Sequence, residues 1–303
     1  MPPPAAYRRP GPPPRRSGGG GATTALFVVV VLVVVLGLAR VALTSVGMDI
    51  SAGPRPEHSY DNGDSGPAET ARNPLLTDPN TTLLPADCDY APWGTDESTA
   101  RAFFGSAAKC LEEAWRPLLE QAELPFTAPT VNVTEDTDGI TTPCTGTTSN
   151  FAAFYCPANK SIYMPISQLQ TDMYGDNWVV YLSVFAHEYG HHVQNLSGIL
   201  RKVNSDRIDL GPRTPQGLEL SRRVELQANC FDGMYLASSG QGGSLTSGQL
   251  GLAREDAGGR GDQSGDMRDH GSPENSGLWF GRGADNNRAA QCNTFTASAG
   301  EVG

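Results

Sequence analysis

The sequence predicts an α+β domain, predominantly helical with a small sheet, standing behind a single transmembrane helix. Three observations carry that expectation. A charge-free apolar run begins at Ala22; residues 97–121, 178–200 and 221–237 repeat apolar side chains at helical spacing; and two short alternating stretches, 130–134 and 161–166, lie between them.

Residues 1–21 are rich in Pro and Gly and carry Arg8, Arg9, Arg15 and Arg16, so they bury too little apolar surface to order themselves and read as a basic tail. Residues 22–46 follow, without a charge before Arg40. That length approaches the roughly 20 residues a helix needs to cross a hydrocarbon core about 30 Å thick. A cleaved signal peptide fits less well, because its apolar region usually runs about 7–15 residues and ends at a small-residue site. The arginines before the span keep the tail in the cytoplasm and place the rest of a single-pass protein outside the cell membrane. Residues 47–82, full of Pro, Gly, Ser, Asp and Asn, read as a flexible linker, so the domain is expected to begin near Leu83.

The 33 acidic residues outnumber the 22 basic ones and leave a formal charge of -11, which argues against a nucleic-acid partner. All six cysteines (Cys88, Cys110, Cys144, Cys156, Cys230, Cys292) follow the membrane span. No two form a C-x-x-C pair, so structural disulfides in an oxidising compartment are a better reading than metal binding. Six thiols allow about 15 pairings, and their spacing alone does not choose among them.

Within the domain, residues 97–121 align Ala100, Phe103, Phe104, Ala107, Leu111, Ala114, Trp115 and Leu118 on one side of an amphipathic helix, a stripe that belongs in a core. Val131 and Val133, then Ile162, Met164 and Ile166, alternate as in strands. Residues 178–200 read as one long apolar helix and 221–237 as a second. Residues 238–277 are dominated by Gly, Ser, Asp and Gln; composition alone makes them loop, with a short helix near 247–256.

The first long helix contains His187-Glu188-Tyr189-Gly190-His191, an H-E-x-x-H motif. At about 100° per residue, positions four apart share a helix face, so both imidazoles can hold one Zn²⁺, with Glu188 beside them to take a proton from an attacking water. Three of the chain's five histidines fall here, in an otherwise apolar helix. Such groups cost free energy in an apolar face unless they are satisfied, and a metal satisfies them. A catalytic zinc normally has three protein ligands, and Glu225 on the second helix is the candidate third, with Glu219 and Asp232 as rival carboxylates. His192, turned about 100° from His191, reads as a surface or supporting residue rather than a ligand. His270 leaves two readings open: a solvated loop histidine, or a donor stabilising the oxyanion at the attacked carbonyl.

The runs Phe154-Tyr155-Cys156-Pro157, Ala186-His187-Glu188-Tyr189-Gly190-His191-His192-Val193-Gln194, Glu225-Leu226-Gln227-Ala228-Asn229-Cys230-Phe231 and Cys292-Asn293-Thr294-Phe295 together resemble the bacterial neutral zinc metallopeptidase family. The resemblance spans roughly residues 83–297, leaving 298–303 as a tail. It implies a membrane-anchored, zincin-like domain outside the cytoplasm with His187, His191 and Glu225 as zinc ligands and Glu188 as catalytic base. It also implies that His270-Gly271-Ser272, with Trp279-Phe280, is the family's C-terminal histidine block, and that much of the Gly-rich region before it is helical. One departure is Asn229, where the family usually has Asp. An amide oxygen can accept the free ring N–H of His187 or His191, but it lacks the charge that makes the ring a stronger ligand.

The reading is therefore a zinc peptidase acting on a peptide or protein substrate. A catalytically silent zinc-stabilised scaffold and a hydrolase of a non-peptide amide are the alternatives. For the disulfides, the working hypothesis joins Cys144 to Cys156 across a short loop and Cys230 to Cys292 to tie down the C-terminus, leaving Cys88 with Cys110.

Overall fold

The computed structural model describes residues 65–145 and 151–303. The basic tail (1–21) and the expected transmembrane helix (22–46) lie outside the described residues, within which no helix is long and apolar enough to cross a membrane.

Eight α-helices and one three-stranded sheet make up the described fold. After the one-turn helix α1 (Pro74–Thr77), helix α2 spans Glu97–Gln121, the bounds its periodicity predicts, and buries the expected apolar stripe. Asp96 caps it by accepting the Thr99 N–H at 3.0 Å. The sheet has the order β1 (Thr130–Thr134), β3 (Ser161–Pro165), β2 (Phe154–Cys156), with β1 parallel and β2 antiparallel to β3. All five residues of β3 are buried, as the central strand requires. Strand β2, too short to show a period, was not expected from the sequence.

A further one-turn helix, α3 (Thr171–Tyr174), leads into α4 (Trp178–Leu196), which is buried on almost every side. The single long helix predicted for 178–200 is in fact two, because Gly198 adopts φ +84 and turns the chain into α5 (Ile199–Leu210). A Cβ at Gly198 would lie 2.3 Å from the Pro67 carbonyl oxygen, so only glycine fits the turn.

That contact also corrects the domain boundary. Residues 65–82, read as linker, pack on the end of α4: Gly66 N–H donates to the Leu196 carbonyl at 2.7 Å and Asn73 Nδ2 to the Ser197 carbonyl at 2.8 Å. These bonds satisfy carbonyls that a helix end leaves open. Leu75 and Leu76 are buried, and two apolar anchors suffice to order a segment whose composition is otherwise polar.

Helix α6 (Pro215–Gln241) starts earlier and ends later than predicted, with Thr214 as N-cap and proline in its first turn. It packs along α8 (Pro273–Asn286) through two glycines. A Cβ at Gly233 would sit 2.1 Å from the Phe280 carbonyl oxygen, and one at Gly283 only 1.9 Å from that of Cys230. Helix α7 (Ser247–Gly259) lies beside them, closed at its start by a Thr246–Gln249 capping box. The Gly-rich region is thus largely helical, against its composition, with its turns confined to positive-φ glycines such as Gly243, Gly265 and Gly271. Residues 298–303 are no tail either: Val302 is fully buried and the Glu301 carbonyl accepts from Trp279 Nε1 at 2.8 Å. Three disulfides join Cys88 to Cys110, Cys144 to Cys156 and Cys230 to Cys292, the hypothesised pairs.

Candidate metal centre

Helices α4 and α6 meet face to face at Gly190, where an added Cβ would lie 3.2 Å from Ala228 Cα. This close approach brings His187 and His191 of α4 against Glu225 of α6. Both Nε2 atoms lie 3.3 Å from Glu225 Oε2, and the two imidazole planes stand at 88°. The ligating atoms of the three residues fall within 4.8 Å of one another, and all three side chains are buried. The rival carboxylates point elsewhere: Glu219 pairs with Arg223 at 2.7 Å, and Asp232 with Arg260 at 3.2 Å.

The electrostatics are those of a cation site. Burial by itself would raise the Glu225 carboxyl, but the two histidines hold it well below the usual range. Burial lowers His187 to about 4, whereas at His191 it is outweighed by Glu225, which lifts that ring to about 9. His191 Nε2 and Glu188 Oε1 are buried and make no hydrogen bond. Two imidazole nitrogens and a carboxylate, converging with bonding capacity to spare, fit the His₂Glu ligand set of a catalytic zinc. Glu188 is raised to about 8, chiefly by burial, and accepts the backbone N–H of Tyr155. A divalent cation beside it would pull that value back down.

Asn229 occupies the place expected for it: its Oδ1 lies 2.8 Å from His187 Nδ1. Gln194, which sequence reasoning missed, does the same for the other ring, with Oε1 2.8 Å from His191 Nδ1. A signal was available, since positions 191 and 194 are neighbours on one helix face. His192 is neither ligand nor surface residue, because α4 has no free side. Its Nε2–H donates to the Thr127 carbonyl at 2.7 Å, and its Nδ1 accepts from Tyr155 Oη at 3.1 Å.

His270 is not a solvated loop residue. It follows Arg268, at φ +63, and its Nδ1 sits 2.9 Å from Asp269 Oδ1 and 3.4 Å from Asp262 Oδ1. Asp262 also accepts the backbone N–H of Gly271 at 2.8 Å, which fixes the loop. Burial disfavours charge on this ring, yet the two aspartates and the field of Glu225 raise it well above the ordinary histidine value. His270 and Glu225 thus act on one another electrostatically.

A family model described as "Putative neutral zinc metallopeptidase" matches residues 90–295, which contain every site residue named above. Over 217 residues the chain is 32% identical to "Uncharacterized protein YpfJ" of Escherichia coli (strain K12), covering 67% of this chain and 74% of that one. It is also 32% identical over 129 residues to "Uncharacterized protein Rv2575" of Mycobacterium tuberculosis (strain ATCC 25618 / H37Rv), covering 41% and 40% of the two chains. No solved structure matches the chain. The family match spans most of the described fold and frames the His187, His191 and Glu225 cluster, so the chain belongs to the neutral zinc metallopeptidase family.

Proposed function

We propose that this protein is a membrane-anchored zinc peptidase with a zincin-like domain outside the cytoplasm, hydrolysing peptide bonds of a peptide or protein substrate. The observation that carries the proposal is the buried convergence of His187, His191 and Glu225, with Glu188 next along α4 holding an unpartnered carboxylate oxygen. The membrane placement is supported by the apolar run at residues 22–46 and the arginines before it.

In this reading His187, His191 and Glu225 hold Zn²⁺. When bound, the zinc supplies Lewis acidity, polarising the peptide carbonyl and acidifying the attacking water. Glu188 takes the proton of that water and passes it to the leaving amine. His270, kept cationic by Asp262 and Asp269, donates to the oxyanion that develops at the attacked carbonyl. Asn229 and Gln194 accept the ring N–H groups of the ligands and fix their orientation.

The scaffold alternative, zinc without catalysis, does not account for Glu188. Burying a carboxylate with one oxygen unpartnered is costly, and a purely structural site has no use for a base. The test is Glu188→Gln in the full-length protein, assayed on a mixed peptide library together with zinc content. The variant is expected to keep stoichiometric zinc and lose hydrolysis, since Gln matches Glu in shape and cannot take the proton. Full hydrolysis in Glu188→Gln would overturn the mechanism. Hydrolysis of non-peptide amides alone would move the substrate to another class.

A further inference from the structure

The His187 and His191 rings are both backed by neutral amides, and each amide is held by a further hydrogen bond whose direction can be followed to a backbone carbonyl. Behind His187, Asn229 Nδ2 donates to Ser276 Oγ at 2.9 Å, and Ser276 Oγ donates to the Ala257 carbonyl at 2.7 Å. Behind His191, Gln194 Nε2 donates to Gln227 Oε1 at 3.0 Å, and Gln227 Nε2 donates to the Cys292 carbonyl at 3.0 Å. Asn229, Ser276, Gln194 and Gln227 are all buried, so water does not compete for these bonds.

The direction follows from donor arithmetic. A serine hydroxyl has one hydrogen. Because that hydrogen goes to Ala257, Ser276 meets Asn229 with a lone pair, which turns the amide so that Nδ2–H faces Ser276 and Oδ1 faces His187. Oδ1 then requires the hydrogen on His187 Nδ1 and leaves the lone pair of Nε2 toward Glu225. The second chain ends the same way: the Cys292 carbonyl orients Gln227, Gln227 orients Gln194, and Gln194 Oε1 requires the hydrogen on His191 Nδ1.

We infer that Ser276 and Gln227 are positioning residues for the metal, fixing through Asn229 and Gln194 the ring tautomer in which both Nε2 atoms are free to bind it. This rests on the reading of His187 and His191 as zinc ligands. Of the two, Ser276 is the sharper case, because Gln194 Nε2 has a second acceptor in the Val224 carbonyl at 2.8 Å. Without Ser276, the Asn229 amide loses the partner that tells its two ends apart, and the flipped amide presents N–H to a ring N–H.

The experiment is a double-mutant cycle on zinc affinity, measured in the full-length protein by chelator competition at one pH, with wild type, Ser276→Ala, Asn229→Asp and the double variant. A carboxylate presents oxygen to His187 whichever way it turns, so orientation by Ser276 ceases to matter once residue 229 is acidic. Ser276→Ala is expected to weaken zinc by about tenfold or more in the wild-type background, within the range for changes behind a metal ligand, and by less than about threefold beside Asn229→Asp. Equal losses in both backgrounds would show that Ser276 only packs α8 onto α6, and no loss in either would remove the relay altogether. Should Ser276→Ala not fold, ring ¹⁵N shifts of the zinc-loaded wild type decide the matter: hydrogen on Nδ1 of both rings is expected, and zinc on Nδ1 of either would overturn the inference. Failure of wild type to bind zinc would instead overturn the proposed function.

Discussion

Gly190 and Gly105 both sit inside helices, yet the structure assigns their replacement by alanine opposite signs. In an open helix the change gains about 1 kcal/mol from propensity. At Gly105 on α2 nothing lies within 4 Å of the added Cβ, so that gain is expected in full. At Gly190 the Cβ would meet Ala228 Cα and its carbonyl oxygen, both at 3.2 Å, and Ala228 Cβ at 3.4 Å. Helix α6 must then retreat by a few tenths of an ångström, and overpacking of a buried contact costs about 1–3 kcal/mol. The net expectation for Gly190→Ala is a loss of about 1 kcal/mol, or roughly 2–4 °C in Tm for a domain of this size. Because Glu225 rides on the same stretch of α6, the retreat also widens its spacing from His187 and His191, so zinc affinity should fall by more than metal-free stability suggests. The assay is thermal unfolding with chelator present, followed by zinc competition, for both variants. If Gly190→Ala gained stability as Gly105→Ala does and bound zinc normally, the close contact of α4 and α6 would not be what brings the site together.

Other expectations follow from particular contacts. Burial depresses His192 to about 4, so its contribution to stability is complete above the unfolded value near 6.5 and is lost as pH falls from there through about 4. Chelator-treated wild type should lose up to about 3 kcal/mol over that window beyond the loss in His192→Gln; parallel profiles would count against the buried neutral ring. Arg260→Met leaves the buried Asp232 and the neighbouring Asp256 without their shared cation and should cost about 3–5 kcal/mol by urea unfolding, whereas a cost below about 1 kcal/mol would mean that the pairing contributes little to the fold. Asn229→Asp places charge behind His187 and should tighten zinc by about tenfold in chelator competition; unchanged affinity would show that residue 229 does not bear on the metal-binding ring. Removing both Cys230 and Cys292, which are 62 residues apart, should cost about 4 kcal/mol by urea unfolding under non-reducing conditions, and an unchanged midpoint would mean the C-terminus is anchored without them.

The metal cluster was legible because chemistry fixes its spacing. His187 and His191 had to be four apart on one face, and a carboxylate had to come from another helix. Helix α2 was legible for a related reason, since a 25-residue amphipathic stripe has one interpretation. What misled was composition. Residues 65–82 and 298–303 look like solvated chain, yet Leu75, Leu76 and Val302 are enough to seat them once Gly66 N–H, Asn73 Nδ2 and the Glu301 carbonyl find partners at Leu196, Ser197 and Trp279. The close approach of α6 and α8 at Gly233 and Gly283 was not legible, because the sequence does not show which helix lies opposite them. Thr214 and Pro215 did carry a helix-start signal that the apolar periodicity, beginning later, concealed. Ser276 and Gln227 lie outside any local pattern, and their roles depend on which carbonyl the fold sets behind them.

The ligand set is the claim on which the rest depends, and X-ray absorption at the zinc edge of the loaded, full-length protein tests it most directly. Two imidazole nitrogens at about 2.0–2.1 Å and carboxylate and water oxygens at about 2.0–2.2 Å are expected, with no sulfur, and the carboxylate contribution should disappear in Glu225→Ala. A third imidazole, which would put His192 or His270 on the metal, or an unchanged spectrum in Glu225→Ala, would contradict the account.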